Sequence, residues 1–382
     1  MLKIGIIGCG KISDVHVSQI KRIAGCEIVA VCDAEELMAK QLAARFDVPY
    51  AFSELTDFLE VGKPDVVHIT TPPQSHFSLG KSCLEAGCHI YVEKPFTVNS
   101  HEAEELIRLA EAKKRKLTVG HDDQFTHATR AMRRLIRDGY LGGSPVHMES
   151  YYCYDLGGKS YAQSFLADRN HWVRNLPGQL AQNVISHGIC RIAEYMVCDR
   201  PQVIAYGRTS PGLIATGENE IFDELRVIIH DPLDTTAYFT FSSQMQPRLR
   251  HFRVYGKKNA IVIDHDQETM ICLRGDRYRS YLERFIPPLS LSLQYAGNAV
   301  SNVWRFLRND FHMKAGMHFL IKAFYDSVLH DTPVPISYSE ILRTSRIMDE
   351  IFFQVNRQRQ IGSAVEGDRI EPRSNIPAPG YD

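Results

Sequence analysis

The 382-residue sequence has little net charge, no paired cysteine motif and no long apolar run. Its formal net charge of −1 gives no reason to expect a nucleic-acid or membrane-surface partner. The nine cysteines are scattered without CxxC pairs, which argues for free thiols in a reducing compartment. The first residues are typical of a strand and not of a signal peptide, and no segment is long and apolar enough to span a bilayer. These absences predict a cytoplasmic globular protein.

What the sequence does contain is a strand, a glycine turn, a helix and a second strand over residues 3–33. Gly8 and Gly10 follow the first strand, and Asp33 stands at the end of the second. Glycines there let backbone N–H groups approach a pyrophosphate at a helix start, and the carboxylate can accept ribose hydroxyls while repelling a 2′-phosphate. Ser13 replaces the third glycine of G-x-G-x-x-G. The segment predicts a dinucleotide site, and the alternative is a glycine turn in another α/β domain.

The periodicity of the chain predicts two domains and a tail. Short strands and helices alternate over residues 1–122, which is typical of a doubly wound parallel sheet of the Rossmann type. Residues 123–360 predict an α+β domain with a large, mostly antiparallel sheet, a long helix at 178–198 and two C-terminal helices. Residues 278–313 are rich in aromatic side chains and could be irregular or contain one helix. Residues 361–382 predict a loosely held tail, because they are rich in proline, glycine and charge.

Polar residues cluster where parallel strands of the first domain end, which is the edge where such sheets bind ligands. Lys94 follows one of these strands within Glu93-Lys94-Pro95. An ammonium group there can hydrogen-bond a substrate hydroxyl and stabilise a developing alkoxide. The other interpretation is a surface lysine paired with Glu93. A cis peptide bond between Lys94 and Pro95 would aim the lysine side chain.

The long helix of the second domain carries another candidate site. Asn183, His187 and Arg191 recur at intervals of four residues and therefore share one face. A histidine between these neighbours predicts a polar pocket wall, although a structural histidine would give the same pattern.

Two further groups contain chemically active side chains. Residues 121–124, His-Asp-Asp-Gln, fit no metal-binding spacing, so we expect them to line the cleft and expect no metal. Five aromatic residues could form a platform for a sugar ring, although alternate tyrosines on a strand face opposite ways. They are Tyr151, Tyr152, Tyr154, Tyr161 and Trp172.

Together, the segments GIIGCGKI, VCD, TPPQSH and EKP and a helical histidine in the second domain resemble the Gfo/Idh/MocA oxidoreductase family. The resemblance runs from residue 3 to about residue 357 and is strongest over the first 100. It implies an N-terminal Rossmann domain, a second domain with a mostly antiparallel sheet, and NAD or NADP as cofactor. It also implies a sugar, polyol or nucleotide-sugar substrate and a homodimer or homotetramer built on the open sheet face.

The resemblance also implies roles for individual residues. Lys94 matches the lysine that contacts the reacting hydroxyl, and His187 matches the general acid/base. Asn183 stands where many members have aspartate, so we expect it to orient His187 without raising its basicity. Cys190 stands where a second acidic residue is common. The positions expected to bind the cofactor are Gly8, Gly10, Lys11, Ile12, Asp33, Thr71, Pro72, His76, Glu93, Lys94 and Asp122.

The sequence therefore predicts a dehydrogenase that uses NAD, with NADP disfavoured by Asp33. It would oxidise a ring hydroxyl of a sugar, polyol or nucleotide-sugar, or reduce the corresponding ketone. One alternative keeps the cofactor bound and cleaves a glycoside through transient oxidation. The other is a non-catalytic NAD-binding sensor, which would need neither Lys94 nor His187.

Overall fold

A computed structural model describes residues 1–154, 156, 168–233, 235–275, 278–310 and 314–366, with side chains to residue 360. Tyr161, one of the aromatic residues considered for a sugar platform, lies outside these residues. Within the described part of the chain, no helix combines the length and the apolar character needed to cross a membrane.

The first sheet has six parallel strands in the order β3-β2-β1-β4-β5-β6. Its strands are β1 (Leu2–Ile7), β2 (Cys26–Cys32), β3 (Tyr50–Phe52), β4 (Val66–Ile69), β5 (His89–Val92) and β6 (Leu117–Val119). The order reverses between β1 and β4, so the crevice at the carboxyl ends of these two strands is where such a sheet binds ligands. The predicted doubly wound parallel sheet is confirmed.

Helices cover both faces of this sheet, and the residues of β1, β4 and β5 are almost all shielded from solvent. They span Lys11–Ile20, Glu36–Phe46, Leu55–Asp57, His76–Glu85 and Ser100–Ala112, with a π-helical turn at Phe58–Gly62 and a 3₁₀ turn at Pro73–Ser75. A further 3₁₀ turn, Asp122–Phe125, leads out of β6 toward the second domain.

The second sheet has seven strands in the order β13-β12-β11-β7-β10-β9-β8. They are β7 (His147–Cys153), β8 (Gln202–Arg208), β9 (Glu224–Asp231), β10 (Thr235–Ser242), β11 (His251–Tyr255), β12 (Asn259–Asp264) and β13 (Thr269–Arg274). Only β7 and β10 pair in parallel, so the prediction of a mostly antiparallel sheet is confirmed. Along β8 buried and exposed residues alternate strictly, which leaves one face open.

Beyond residue 126, the described part of the chain contains seven helical segments. They are His127–Arg137, a 3₁₀ turn at Trp172–Asn175, Gln179–Ala193, Pro211–Ile214, Leu282–Leu307, Ala315–His330 and Tyr338–Glu366. The Gln179–Ala193 helix packs its apolar side on the inner face of the sheet, and only three of its fifteen residues are not buried. Within the segment 278–313, for which the sequence left a helix open, residues Leu282–Leu307 form a 26-residue helix.

Each of the two hydrophobic cores contains residues that are far apart in the chain. The Ala315–His330 helix lies in the segment 123–360, but its apolar side belongs to the core of the first sheet. The Tyr338–Glu366 helix contributes Ile341 to that core and Ile351 to the core of the second. It also extends past residue 361, where we predicted the tail to begin.

We expect Phe324 to stabilise the first domain although it lies 200 residues beyond that domain in the chain. Its side chain is fully buried, so Phe324→Ala should lower the free energy of unfolding by about 3–5 kcal/mol. Leu329→Ala on the same helix is the matched control, because Leu329 is 56% exposed and should cost little. Urea unfolding monitored by circular dichroism measures both, and equal losses would contradict the shared core.

Candidate active site

The glycine turn after β1 leaves room for a phosphate group. Gly8 has φ +93°, and a Cβ atom there would lie 2.7 Å from the Thr71 side chain. A Cβ on Gly10 would meet no atom within 4 Å, so the space before the helix is open. Lys11 and Ile12 open that helix, so its N-terminal end borders this space.

Asp33 is held at the end of β2 by the backbone. Its Oδ2 accepts a hydrogen bond from Cys9 N at 2.7 Å, and its Oδ1 accepts one from Glu35 N at 2.9 Å. Each carboxylate oxygen retains lone pairs for a further donor, and the residue is only partly buried. The turn and this carboxylate fit a dinucleotide, with the pyrophosphate before the helix and a ribose at Asp33.

The loop after β4 is fixed by His76. Its Nε2 lies 2.8 Å from the Thr71 carbonyl oxygen, and its Nδ1 lies 3.0 Å from that of Pro95. Burial lowers the pKa of His76, and the carbonyl contacts partly oppose this. Because both nitrogens face backbone carbonyls, His76 positions the loop that carries Thr71 and Pro72. This differs from our expectation that His76 itself binds the cofactor.

Glu93 is the end of a buried chain of hydrogen bonds through the first domain. His16 Nε2 lies 2.8 Å from Glu93 Oε1, His16 Nδ1 lies 2.9 Å from His68 Nδ1, and His68 Nε2 lies 2.8 Å from the Tyr325 hydroxyl. Burial tends to raise the pKa of Glu93, but the hydrogen bond with His16 and the charge of Lys94 lower it to about 2. Glu93 therefore supplies a fixed negative charge beside Lys94.

Lys94 reaches across the cleft to the second domain. Its Nζ donates hydrogen bonds to the backbone oxygen and the Oδ1 of Asn183, both at 3.1 Å. Burial lowers the pKa of Lys94, and the charges of Glu93 and Asp122 oppose this. The Lys94–Pro95 peptide bond is cis, which was the possibility considered from the sequence.

His187 lies one helical turn after Asn183 and faces the carboxylate of Asp123. Its Nδ1 is 3.4 Å from Asp123 Oδ2, and its ring is stacked on Tyr152 with centroids 5.3 Å apart. Burial lowers the pKa of His187 well below its usual value, and Asp123 opposes this only in part. The imidazole is therefore neutral and able to accept a proton.

At the cleft, the Asp123 carboxylate lies close to Arg191, Arg250 and His187. Arg191 Nη2 lies 2.6 Å and Arg250 Nη2 lies 3.2 Å from its Oδ2, the same oxygen that faces His187. Burial opposes ionisation, but the charge of Arg191, helped by that of Arg250, holds the pKa of Asp123 well below its usual range. Arg250 also donates to the Tyr152 hydroxyl at 3.3 Å.

The expected pairing of Asn183 with His187 therefore needs correction. The Asn183 oxygen is engaged by the Lys94 ammonium, and the carboxylate nearest to His187 comes from Asp123. From the sequence, Asp123 is expected to line the cleft together with its neighbours, and no specific role is predicted for it. The available signal was its position in the turn that follows β6, at the same sheet edge as Lys94.

Asp122 faces the same space as Asp123 but has a different charge environment. Its Oδ1 lies 3.9 Å from His187 Nδ1, and its Oδ2 lies 3.9 Å from Lys314 Nζ. Burial and the adjacent Asp123 raise the pKa of Asp122 to about 6.

The ligand atoms of Asp122, Asp123 and His187 lie within 4.8 Å of one another, as in a metal site. However, Asp123 is already paired with Arg191 and Arg250, and Lys314 lies near Asp122. These positive charges disfavour a bound cation.

Comparison with known proteins agrees with this geometry. Residues 2–121 match the family described as "Oxidoreductase family, NAD-binding Rossmann fold". The first domain is therefore an NAD-binding Rossmann domain of the oxidoreductase type. The match is to the Gfo/Idh/MocA family that the sequence motifs resemble.

Similar proteins include two sugar dehydrogenases. A D-glucoside 3-dehydrogenase of Escherichia coli (strain K12) is 32% identical over 142 residues, which are 37% of this chain and 40% of that relative. A UDP-N-acetylglucosamine 3-dehydrogenase of Acidithiobacillus ferrooxidans is 29% identical over 149 residues, 39% of this chain and 44% of that relative. The matched segment thus spans about two fifths of the length of these relatives.

A solved structure extends the similarity to both domains. The WlbA dehydrogenase from Bordetella pertussis, solved in complex with NADH and UDP-GlcNAcA, aligns with 94% of this chain and 96% of its own. The TM-score is 0.73 and the sequence identity is 14%. The two chains share a fold.

We expect Asp122→Asn and Asp123→Asn to change stability in opposite directions at neutral pH. The pKa of Asp122 is raised, so its ionisation above about pH 6 destabilises the fold. Asp122→Asn should therefore add up to roughly 3 kcal/mol at pH 8, and this gain should vanish below pH 4.

The pKa of Asp123 is lowered, so its stabilisation is present at neutral pH and is lost in strong acid. Asp123→Asn should cost about 3–5 kcal/mol at pH 8, because it leaves Arg191 buried without its carboxylate. Urea unfolding at pH 8 and pH 5 provides the comparison. Changes of the same sign in both variants would refute the assigned charges.

Proposed function

We propose that the protein is an NAD-dependent dehydrogenase that oxidises a ring hydroxyl of a sugar, polyol or nucleotide-sugar, or reduces the corresponding ketone. The observation that carries the proposal is the convergence of Lys94 and His187, from different domains, at the carboxyl edge of the NAD-binding sheet. The dehydrogenase names of the relatives support the same class of substrate.

In the proposed reaction His187 takes the proton of the substrate hydroxyl. Its Nδ1 faces the ionised Asp123, which favours the tautomer with the proton on Nδ1 and the lone pair on Nε2. Nε2 is then the atom that accepts the proton, and the imidazolium formed is stabilised by Asp123. Bound NAD would supply the carbon that accepts the hydride from the carbinol.

Lys94 stabilises the developing negative charge on the substrate oxygen. Its ammonium group is held by two oxygens of Asn183 and stands beside the ionised Glu93, so it is positioned before substrate binds. Preorganised charge of this kind needs little rearrangement during the reaction. Asn183 is therefore a positioning residue for Lys94 in this mechanism.

The open face of the second sheet supports a homodimer or homotetramer. Ile204, Tyr206, Ile228 and Tyr238 are exposed on β8, β9 and β10 and form an apolar surface. All nine cysteines are free, which supports the proposed cytoplasmic location.

We expect Lys94→Ala to reduce kcat by at least about 100-fold, because the variant loses the charge that stabilises the alkoxide. Lys40→Ala is the matched control, since Lys40 is exposed and pairs with Glu36 on the surface of a helix. The measurement is NADH formation with a panel of sugars, polyols and nucleotide-sugars.

Turnover of Lys94→Ala within a few-fold of the unsubstituted protein would exclude this mechanism. A protein that forms product without net NADH would instead support glycoside cleavage through transient oxidation. A protein that binds NAD but transforms nothing in the panel would support the sensor.

We expect NADH to bind more tightly than NADPH, because Asp33 would repel a 2′-phosphate. Asp33→Ser should reduce this preference by about tenfold or more, since one charge repulsion of about 1.4 kcal/mol is removed. Fluorescence titration with the two reduced cofactors measures the ratio. Equal affinities in the unsubstituted protein would exclude the role assigned to Asp33.

A further inference from the structure

The Leu282–Leu307 helix lies along the edge of the second sheet, and none of its 26 residues is buried. One of its faces is attached to the edge strand β13 by side-chain amides. Gln294 accepts a hydrogen bond from Cys272 N at 2.7 Å and donates one to Cys272 O at 3.1 Å. Asn298 makes the same pair of contacts with Met270, at 3.1 and 3.0 Å.

The two amides make the backbone hydrogen bonds at Met270 and Cys272 that a neighbouring strand would otherwise make. They also fix the orientation of the helix on the edge of the sheet. The polar face of the helix thus points toward the protein. This is the reverse of an ordinary surface helix, whose apolar face packs on the core.

The opposite face of the helix carries an uninterrupted apolar heptad pattern. Residues 282, 286, 289, 293, 296, 300, 303 and 307 follow spacings of four and three, and all are apolar. Six of them are 52–68% exposed: Leu282, Leu289, Leu293, Val300, Val303 and Leu307. Ile286 and Ala296 complete the pattern. A heptad sustained over this length is typical of a helix that packs against another helix.

We propose that this heptad face binds the same face of a second copy of the chain, with the two helices antiparallel. The spacing is a palindrome about the helix midpoint, so a two-fold axis there matches every apolar position with another. Leu282 would meet Leu307 of the second copy, Leu289 would meet Val300, and Leu293 would meet Ala296. A two-fold axis of this kind is the commonest symmetry of homo-oligomers.

The residues beside the heptad positions fit the same arrangement. Phe285 and Phe306 flank the ends of the face, where they would lie side by side across the axis. Ser290 and Gly297 flank its centre, where small side chains allow the two backbones to approach. Antiparallel packing also places Glu283 of one copy at the helix end that carries Arg305 of the other.

The area is sufficient for a stable contact. The large apolar side chains of this face present on the order of 1,000 Å² per copy, compared with about 800 Å² per partner in a standard interface. The helix contains no lysine, and its charged residues are Glu283, Arg284 and Arg305. This low positive charge favours a protein partner over an anionic membrane surface.

The test compares the native mass of the full-length chain with that of two variants. Leu293→Glu places a charge at the centre of the proposed contact and should halve the mass measured by light scattering after size-exclusion chromatography. Leu37→Glu is the matched control, because Leu37 is also 65% exposed on a helix but lies in the first domain. It should leave the mass unchanged.

A cross-linking experiment tests the direction of the helices. The double variant Leu289→Cys, Val300→Cys should form an intermolecular disulfide on mild oxidation, whereas each single variant should behave like the unsubstituted chain with its nine native cysteines. Cross-linking by either single variant would support a parallel pair and overturn the antiparallel proposal.

Three results would overturn the proposal as a whole. The first is that the unsubstituted chain is a monomer at micromolar concentration. The second is that Leu293→Glu does not change the mass. The third is that the unsubstituted chain sediments with anionic lipid vesicles and Leu293→Glu does not, which would identify a membrane surface as the occupant. None of these results depends on dehydrogenase activity.

Discussion

The set of charge contacts made by the Asp123 carboxylate is the interaction on which the arrangement of the candidate site depends. It stands where the chain leaves β6 for the second domain, and it pairs with Arg191 on the Gln179–Ala193 helix and with Arg250 near β11. The same oxygen faces His187. One negative charge thus ties two domains together, fixes the helix that carries the proposed base, and compensates the buried guanidinium of Arg191.

The parts of the site that the sequence predicted are those set by local chain geometry. Gly8 has a positive φ that only glycine adopts readily. Asp33 directly follows β2, whose sequence is mostly apolar. Lys94 lies at a strand end beside a proline, so its location at the ligand-binding edge follows from the parallel topology. His187 follows from helical periodicity. These features depend on neighbours within a few residues along the chain.

The remaining features depend on contacts between distant segments. Whether Asn183 turns to His187 or to Lys94 depends on how far the lysine reaches across the cleft, which spacing does not encode. The Ala315–His330 helix joins the first core because the chain returns to the first domain, and its own pattern shows only that it is amphipathic. The sequence left open whether residues 278–313 form a helix, because two consecutive prolines lie within the Leu282–Leu307 helix and its polar face points inward.

The most direct test of the central claim is the pH dependence of kcat/KM for sugar oxidation, compared between the unsubstituted enzyme and Asp123→Asn. Asp123 raises the pKa of His187, and its removal leaves Lys94 and Arg250 to lower that pKa further. The account therefore predicts that the acidic limb of the profile moves to lower pH in the variant. An acidic limb at the same pH in both proteins would contradict the assignment of His187, with its Nδ1 facing Asp123, as the proton acceptor.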